Sequence, residues 1–335
     1  MRVVSLLPSA TECLLLVLET TAAGRASCGA GSGQAAGRVE LVGRSHECDF
    51  PPGIADRPVL TSQRTDFAAQ GAAGVDAAVR AAASAGQSLY ALDEALLESL
   101  RPDVILTQDL CEVCSIDLGT VRRVAERLSQ NPRILSLNPA SIEDVFDDVL
   151  RVGEAVGLAG EAQRAVVMLR ERFYRAADFV TPYEEGPRVA FLEWTDPLFI
   201  GGHWTPQLIE RAGGRHPLNP AAPGGGHHTP ATTTGAGKSV RVPAEALAAM
   251  EPEAIIVCPC GVGLGGVRAE AARLAEQPWF RATPAWRAGR AALVDGNQMF
   301  NRPGPRLVDA FEWLVGWLND RPEVIPHGFP WEPMR

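Results

Sequence analysis

Lysine and arginine never gather into a run in this chain. Its 31 basic residues are scattered among 40 acidic ones, for a net charge of -9. A duplex-binding surface needs clustered cations, so no nucleic-acid partner is expected. The same deficit argues against binding to an anionic membrane surface. Also missing is any stretch of about 20 apolar residues, the length that spans a bilayer. The apolar start, MRVVSLLPSATECLLLVLE, is interrupted by Pro8, Ser9, Thr11 and Glu12. It reads as a strand followed by a helix rather than as a secretory signal. On that reading the chain as written is expected in the cytoplasm, with an exported mature form left open. Seven cysteines in 335 residues do not form the dense, even set of a small secreted disulfide framework, so reduced thiols are expected.

What is present is a globular composition, 46% hydrophobic and 21% charged, with a length that suits two domains or one large α/β unit. Short apolar runs alternate with helical patterns: RVVSLL (2–7), VELVG (39–43), DVILT (103–107) and RILSL (133–137), then RVAFLE (188–193), AIIVC (254–258) and AALVD (291–295). Continuous apolar runs of that length suit strands buried on both faces, as in parallel sheets covered by helices. Ser9-x-x-Glu12 and Ser141-x-x-Asp144 have the spacing that caps a helix start. A helical pattern from Ser141 resumes after Gly160 and runs to about Val180, rich in arginine and glutamate. At about 20 residues it is long enough to be a rigid spacer of about 30 Å between two lobes. The fold expected is therefore α/β, with two doubly wound lobes of parallel sheet at 1–140 and 184–335 and linking helices at 141–183. Stretches 20–37, 68–87 and 219–237 are rich in Ala, Gly or Thr and read as surface insertions, the last carrying His227 and His228 as exposed residues.

The unusual polar residues fall at or just past the carboxyl ends of these strands, where open α/β sheets bind ligands. They are Ser9, then His46, Glu47 and Cys48 in SHECDFPP, then Gln108 in QDLCEVC. In the second half they are Glu193, Trp194, His203 and Trp204 in EWTDPLFIGGHW, then Asn297, Asn301 and Arg302 in DGNQMFNRPGPR. If the two crevices face each other, all of them line one cleft. The tryptophans suggest a flat apolar platform for a planar ligand, and Arg302 a polar anchor. Cys111 and Cys114 form a CxxC whose acidic neighbours Asp109 and Glu112 disfavour a low-pKa redox thiol. With Cys48 and Cys260 they are a candidate metal set for zinc or iron. Gly261, Gly263 and Gly266 match G-x-G-x-x-G, a weak nucleotide signal because Cys258-Pro259-Cys260 intervenes after the strand.

RVVSLLPSATE, GRSHECDFPP, LRPDVILTQDLCEVC, EWTDPLFIGGHW and DGNQMFNRPGPR together resemble the cobalamin and iron-chelate substrate-binding proteins of ABC importers, especially a leaderless branch with an SHECD-type motif. The resemblance implies a class III binding-protein fold, two α/β lobes joined by one long helix, with the ligand between them. It implies that Ser9, His46, Glu47, Cys48, Trp194, His203, Trp204, Asn301 and Arg302 lie at the ligand. The function expected is retention of a corrinoid or related metal chelate, with His46 or His203 as an axial donor. The partner is then a small molecule, and an ABC permease if the protein is exported. The alternative is a metal-dependent hydrolase with Glu47 or Glu193 as base.

Overall fold

A computed structural model describes residues 1–27, 39–64, 74, 75, 77, 81, 89–109, 116–181, 185–221 and 237–334. His227, His228, Cys111, Cys114 and Glu112 lie outside the described residues. The chain divides into two compact units, the first comprising Met1–Pro139 with Val145–Met168, the second Ala140–Asp144 with Leu169–Arg335. Each unit is α/β.

The first unit is built on a sheet of four parallel strands in the order β2-β1-β5-β6: Glu40–Arg44, Arg2–Ser5, Val104–Thr107 and Arg133–Ser136. This is the parallel sheet the apolar runs predict. Val3, Val4, Ile105 and Leu106 are fully buried, because helices and chain cover both faces. One face packs on Leu97, Val121, Val124 and Leu128 from the helices Glu94–Leu100 and Leu118–Ala125 and the turn after them. A two-stranded antiparallel ribbon, β3 (Thr61–Gln63) with β4 (Tyr90–Leu92), interrupts the run between β2 and β5. The first helix, Pro8–Ser27, opens one residue before the expected cap. Proline is well suited to a first-turn position because it has no N–H to leave unpaired, and Ser9 is consequently inside the helix and buried.

The second unit keeps the expected parallel sheet at its centre and adds antiparallel strands at both edges. Of its six strands only the three central ones are parallel: β7 (Val189–Thr195), β10 (Ala254–Val257) and β11 (Ala291–Val294). Strands β8 (Leu198–Ile200), β9 (Val240–Arg241) and β12 (Trp331–Pro333) are antiparallel to their neighbours. The order across the sheet is β12-β11-β10-β7-β8-β9. The cause is local. Only Asp196 and Pro197 separate β7 from β8, and a two-residue connection can only turn a strand back antiparallel. The edge strand β9 is exposed on both residues, unlike the fully buried β10.

The helix Ile142–Ala155 carries the predicted cap: the amide of Asp144 donates to Ser141 Oγ at 3.2 Å, and its carboxylate accepts from the amide of Ala140 at 2.9 Å. The charged helix is Ala159–Ala177, and its residues up to Met168 pack in the first unit while those from Leu169 pack in the second. In the second, Phe173 stacks on Phe311 at 3.9 Å between centroids and Arg172 pairs with Asp309 and Glu312. These partners sit on Leu307–Leu318, a helix with nine buried residues.

Candidate functional site

In the first unit the order β2-β1-β5 changes winding direction at β1. Ligand crevices in such sheets open beyond the strand ends at that switch. Ser9 and Gln108, following β1 and β5, are both there and both buried. Beside them, Ser45-His46-Glu47-Cys48 leaves the end of β2. Arg44 fixes this turn with four hydrogen bonds, to the carbonyls of Ser45, Cys48, Ile54 and Ala55.

His46 is the most tightly defined of the expected site residues. Its amide and its Nδ1 both meet Thr61 Oγ1, at 3.1 and 2.7 Å. Thr61 in turn donates to Ser45 Oγ at 3.1 Å, and Ser45 Oγ also accepts the amide of Glu47 at 3.2 Å. The other ring nitrogen, Nε2, is buried and has no hydrogen-bond partner. Glu47 Oε1 lies 4.0 Å from it, too far for a hydrogen bond. That carboxylate instead accepts from the Tyr90 hydroxyl at 3.2 Å, and the Tyr90 ring lies 5.5 Å from the imidazole. Burial, and then the Arg44 charge, push the His46 pKa below the usual histidine value, which favours the neutral ring. Leu6, Ser45, His46, Glu47, Thr61, Tyr90 and Ile116 line one small recess. Thr61 and Tyr90 do not stand out in the sequence. They come from β3 and β4, and no motif marks them.

In the second unit the segment Gly201-Gly202-His203-Trp204 leads from β8 into the helix Thr205–Arg211, with Trp204 at the cap position. His203 takes a positive φ of 54° and donates its amide to Gly237 O at 2.8 Å. Its ring stacks on Trp204, 5.5 Å away, and burial lowers its pKa against the opposing pull of Glu193. Trp204 is buried, and its indole N–H donates to Phe300 O at 2.7 Å. It is a core residue of this unit, so the platform expectation narrows to half-buried Trp194, whose N–H reaches Asp196 O. Glu193 joins two backbone segments, accepting from the Gly202 amide at 3.3 Å and from Ser239 Oγ at 2.7 Å. A side chain on Gly202 would meet Ser239 N at 2.4 Å and Gly237 O at 2.5 Å, so only glycine permits that contact.

Asn301, in the turn Met299–Asn301, donates to Gly296 O at 2.8 Å and Cys258 O at 3.3 Å. Asn297 donates its amide to Asp295 Oδ1 at 2.9 Å. Arg302 and Arg306 are both buried, and Arg306 donates to Gln298 Oε1 at 3.0 Å. The weak nucleotide signal has a structural answer: Asp295 Oδ2 accepts the Leu264 amide at 3.1 Å, at the start of the helix Leu264–Glu276. A carboxylate there occupies the place a phosphate would take and repels it.

Of the four thiols of the metal expectation, Cys48 and Cys260 are among the described residues. Cys48 is buried with its sulfur 3.1 Å from Thr11 Oγ1, inside the first unit. Cys260 is half-buried in the second, next to Cys258, whose thiol is pushed up by burial and then by the nearby Cys260, Glu193 and Asp295. Among the described residues no three His, Cys, Asp or Glu side chains group as a metal site.

No protein-family model and no curated protein matches the chain. Solved structures do. The periplasmic heme-binding protein BhuT in complex with two hemes matches at 21% identity and a TM-score of 0.64, over 96% of this chain and 98% of its own. A periplasmic heme-binding protein from Pseudomonas aeruginosa matches at 20% and 0.63, over 95% and 92%. The periplasmic vitamin B12 binding protein BtuF of Vibrio cholerae matches at 16% and 0.59, over 96% and 98%. The fold is thus that of the class III periplasmic binding proteins, as the sequence resemblance implied. These neighbours are periplasmic binding proteins, so the cytoplasmic expectation and the hydrolytic alternative gain no support from them.

Proposed function

We propose that the protein binds a metal-containing tetrapyrrole, a corrinoid or a related chelate such as heme, and that His46 is an axial donor to its metal. The single observation behind this reading is the His46 ring. One nitrogen is engaged by a buried hydroxyl and the other lies in a recess without a hydrogen bond, the arrangement ligating histidines adopt. The Tyr90 ring beside it offers a planar ligand an apolar edge. Ser9 and Gln108 supply polar groups at the switch point of the same sheet, and Trp194, His203, Asn297, Asn301 and Arg302 are the corresponding candidates of the second unit. The shared fold supports the reading, because relatives in fold bind heme and vitamin B12. By the same likeness the protein would work as the receptor of an ABC importer, outside the cytoplasm and with a permease as partner.

Equilibrium titration with aquocobalamin, cyanocobalamin and hemin, followed by absorbance, tests this. Aquocobalamin and hemin each have a coordination position that imidazole can take. Cyanocobalamin holds cyanide there. Saturable binding of at least one probe, weakened about 10-fold or more by His46→Ala, is expected. Absence of saturable binding by all three refutes the proposal.

A further inference from the structure

We infer that Thr61 is a positioning residue: its hydroxyl accepts a hydrogen bond from His46 Nδ1–H, and this holds the ring in the tautomer whose Nε2 carries the lone pair. This rests on the His46 reading above, but concerns a different residue and a state of the free protein.

The Thr61 oxygen has three neighbours and one proton. It accepts the His46 amide, meets Ser45 Oγ at 3.1 Å and meets Nδ1 at 2.7 Å. Two proton arrangements satisfy those contacts. If the hydroxyl points to Ser45, the ring donates from Nδ1 and Nε2 is a bare acceptor. If the hydroxyl points to Nδ1, then Nε2 carries the proton. It would then be a buried donor with no acceptor. An orphaned N–H is the rarer and costlier defect. A proton on Nε2 would also draw in the Glu47 carboxylate, yet Glu47 Oε1 stays 4.0 Å away and accepts from Tyr90 instead. The Ser45 oxygen already accepts from the Glu47 amide, and Thr61 is buried in β3, so neither hydroxyl is turned outward. Both strands of the β3-β4 ribbon therefore serve this ring. One delivers the hydroxyl that sets its proton, the other the tyrosine beside it.

The test begins without ligand. In protein labelled with 15N-histidine, long-range proton–nitrogen correlation distinguishes a protonated ring nitrogen from a bare one. The His46 signal is identified by its loss in His46→Gln. The expected spectrum shows Nδ1 protonated and Nε2 bare, the less common form in water. Thr61→Val is expected to move the ring toward the Nε2–H form and to weaken aquocobalamin binding about 10-fold, while Thr61→Ser restores both. A wild-type spectrum with Nε2 protonated overturns the inference, as does a Thr61→Val protein with an unchanged tautomer. Should Thr61→Val not fold, the wild-type and Thr61→Ser spectra decide alone. The two readings fail separately. A wild-type protein that binds no probe defeats the proposed function and leaves the tautomer result standing. Impaired binding in His46→Ala with full binding in Thr61→Val defeats only the role of Thr61.

Discussion

The turn after β2 and the turn after β8 each present a histidine beside a sheet end, but they hold it by opposite means. The His46 ring is held by the Thr61 hydroxyl, which in turn meets Ser45 Oγ, and keeps one nitrogen without a partner. His203 is held through its backbone, with a positive φ and an amide bond to Gly237, and its ring lies on a tryptophan that belongs to the core. The difference teaches how the two residues divide the work. Side-chain hydrogen bonds fix a ring's proton and leave its chemistry available. Backbone strain and stacking fix a ring's place and tie it to the stability of the unit.

Substitutions sharpen that contrast, beginning with the largest. Trp204→Ala removes a buried indole together with its bond to Phe300, and is expected to cost about 3–5 kcal/mol in chemical denaturation. His46→Ala, at a half-buried ring, should cost only about 1 kcal/mol. Equal losses would break the comparison.

Acid should act through the second unit as well. His216 is buried, its Nδ1 bonded to Asn219 O at 2.7 Å, and burial pushes its pKa down to about 4. Unfolded, it titrates near 6.5, so its contribution is complete above that pH. As pH falls from about 6.5 to 4 the unfolded chain binds the proton first, and stability should drop by about 3 kcal/mol. His216→Gln should flatten this part of the pH–stability curve, and an unchanged slope would contradict the assignment.

Gly202→Ala forces the segments 201–203 and 237–239 apart and is expected to destabilise by about 1–3 kcal/mol while leaving the His46 tautomer as it was. The smallest effect belongs to Arg172→Met. Its carboxylate partners, Asp309 and Glu312, are partly solvated, so a loss below about 1 kcal/mol is expected, shrinking further in high salt.

Much of this architecture is legible in sequence. The apolar runs at 2–7, 103–107 and 254–258 each contain an observed strand, because a strand buried on both faces must be apolar throughout, and the run at 133–137 contains the edge strand β6, which buries only one of its four residues. The antiparallel edges are not legible. Asp196-Pro197 reads equally as site chemistry and as a turn, and β9 and β12 lack an apolar signature because they are edge strands. Of the first unit's site, His46 and Glu47 stand out as residues, but Thr61 and Tyr90 do not. Their role comes from register across a ribbon whose strands lie far apart in the chain, with an alanine-rich stretch between them. Trp204 shows the limit for aromatics. An indole suits a ligand platform or a core equally, and here a carbonyl 96 residues away decides for the core.

The central claim is coordination by His46, and the absorption spectrum of aquocobalamin reads it most directly. With the wild-type protein, displacement of the cobalt-bound water by imidazole should shift the corrinoid bands on binding, and His46→Ala should bind about 10-fold or more weakly without that shift. If hemin is the probe that binds, its bands should respond in the same way. Bands that shift identically, with equal affinity, in wild-type protein and His46→Ala would contradict it.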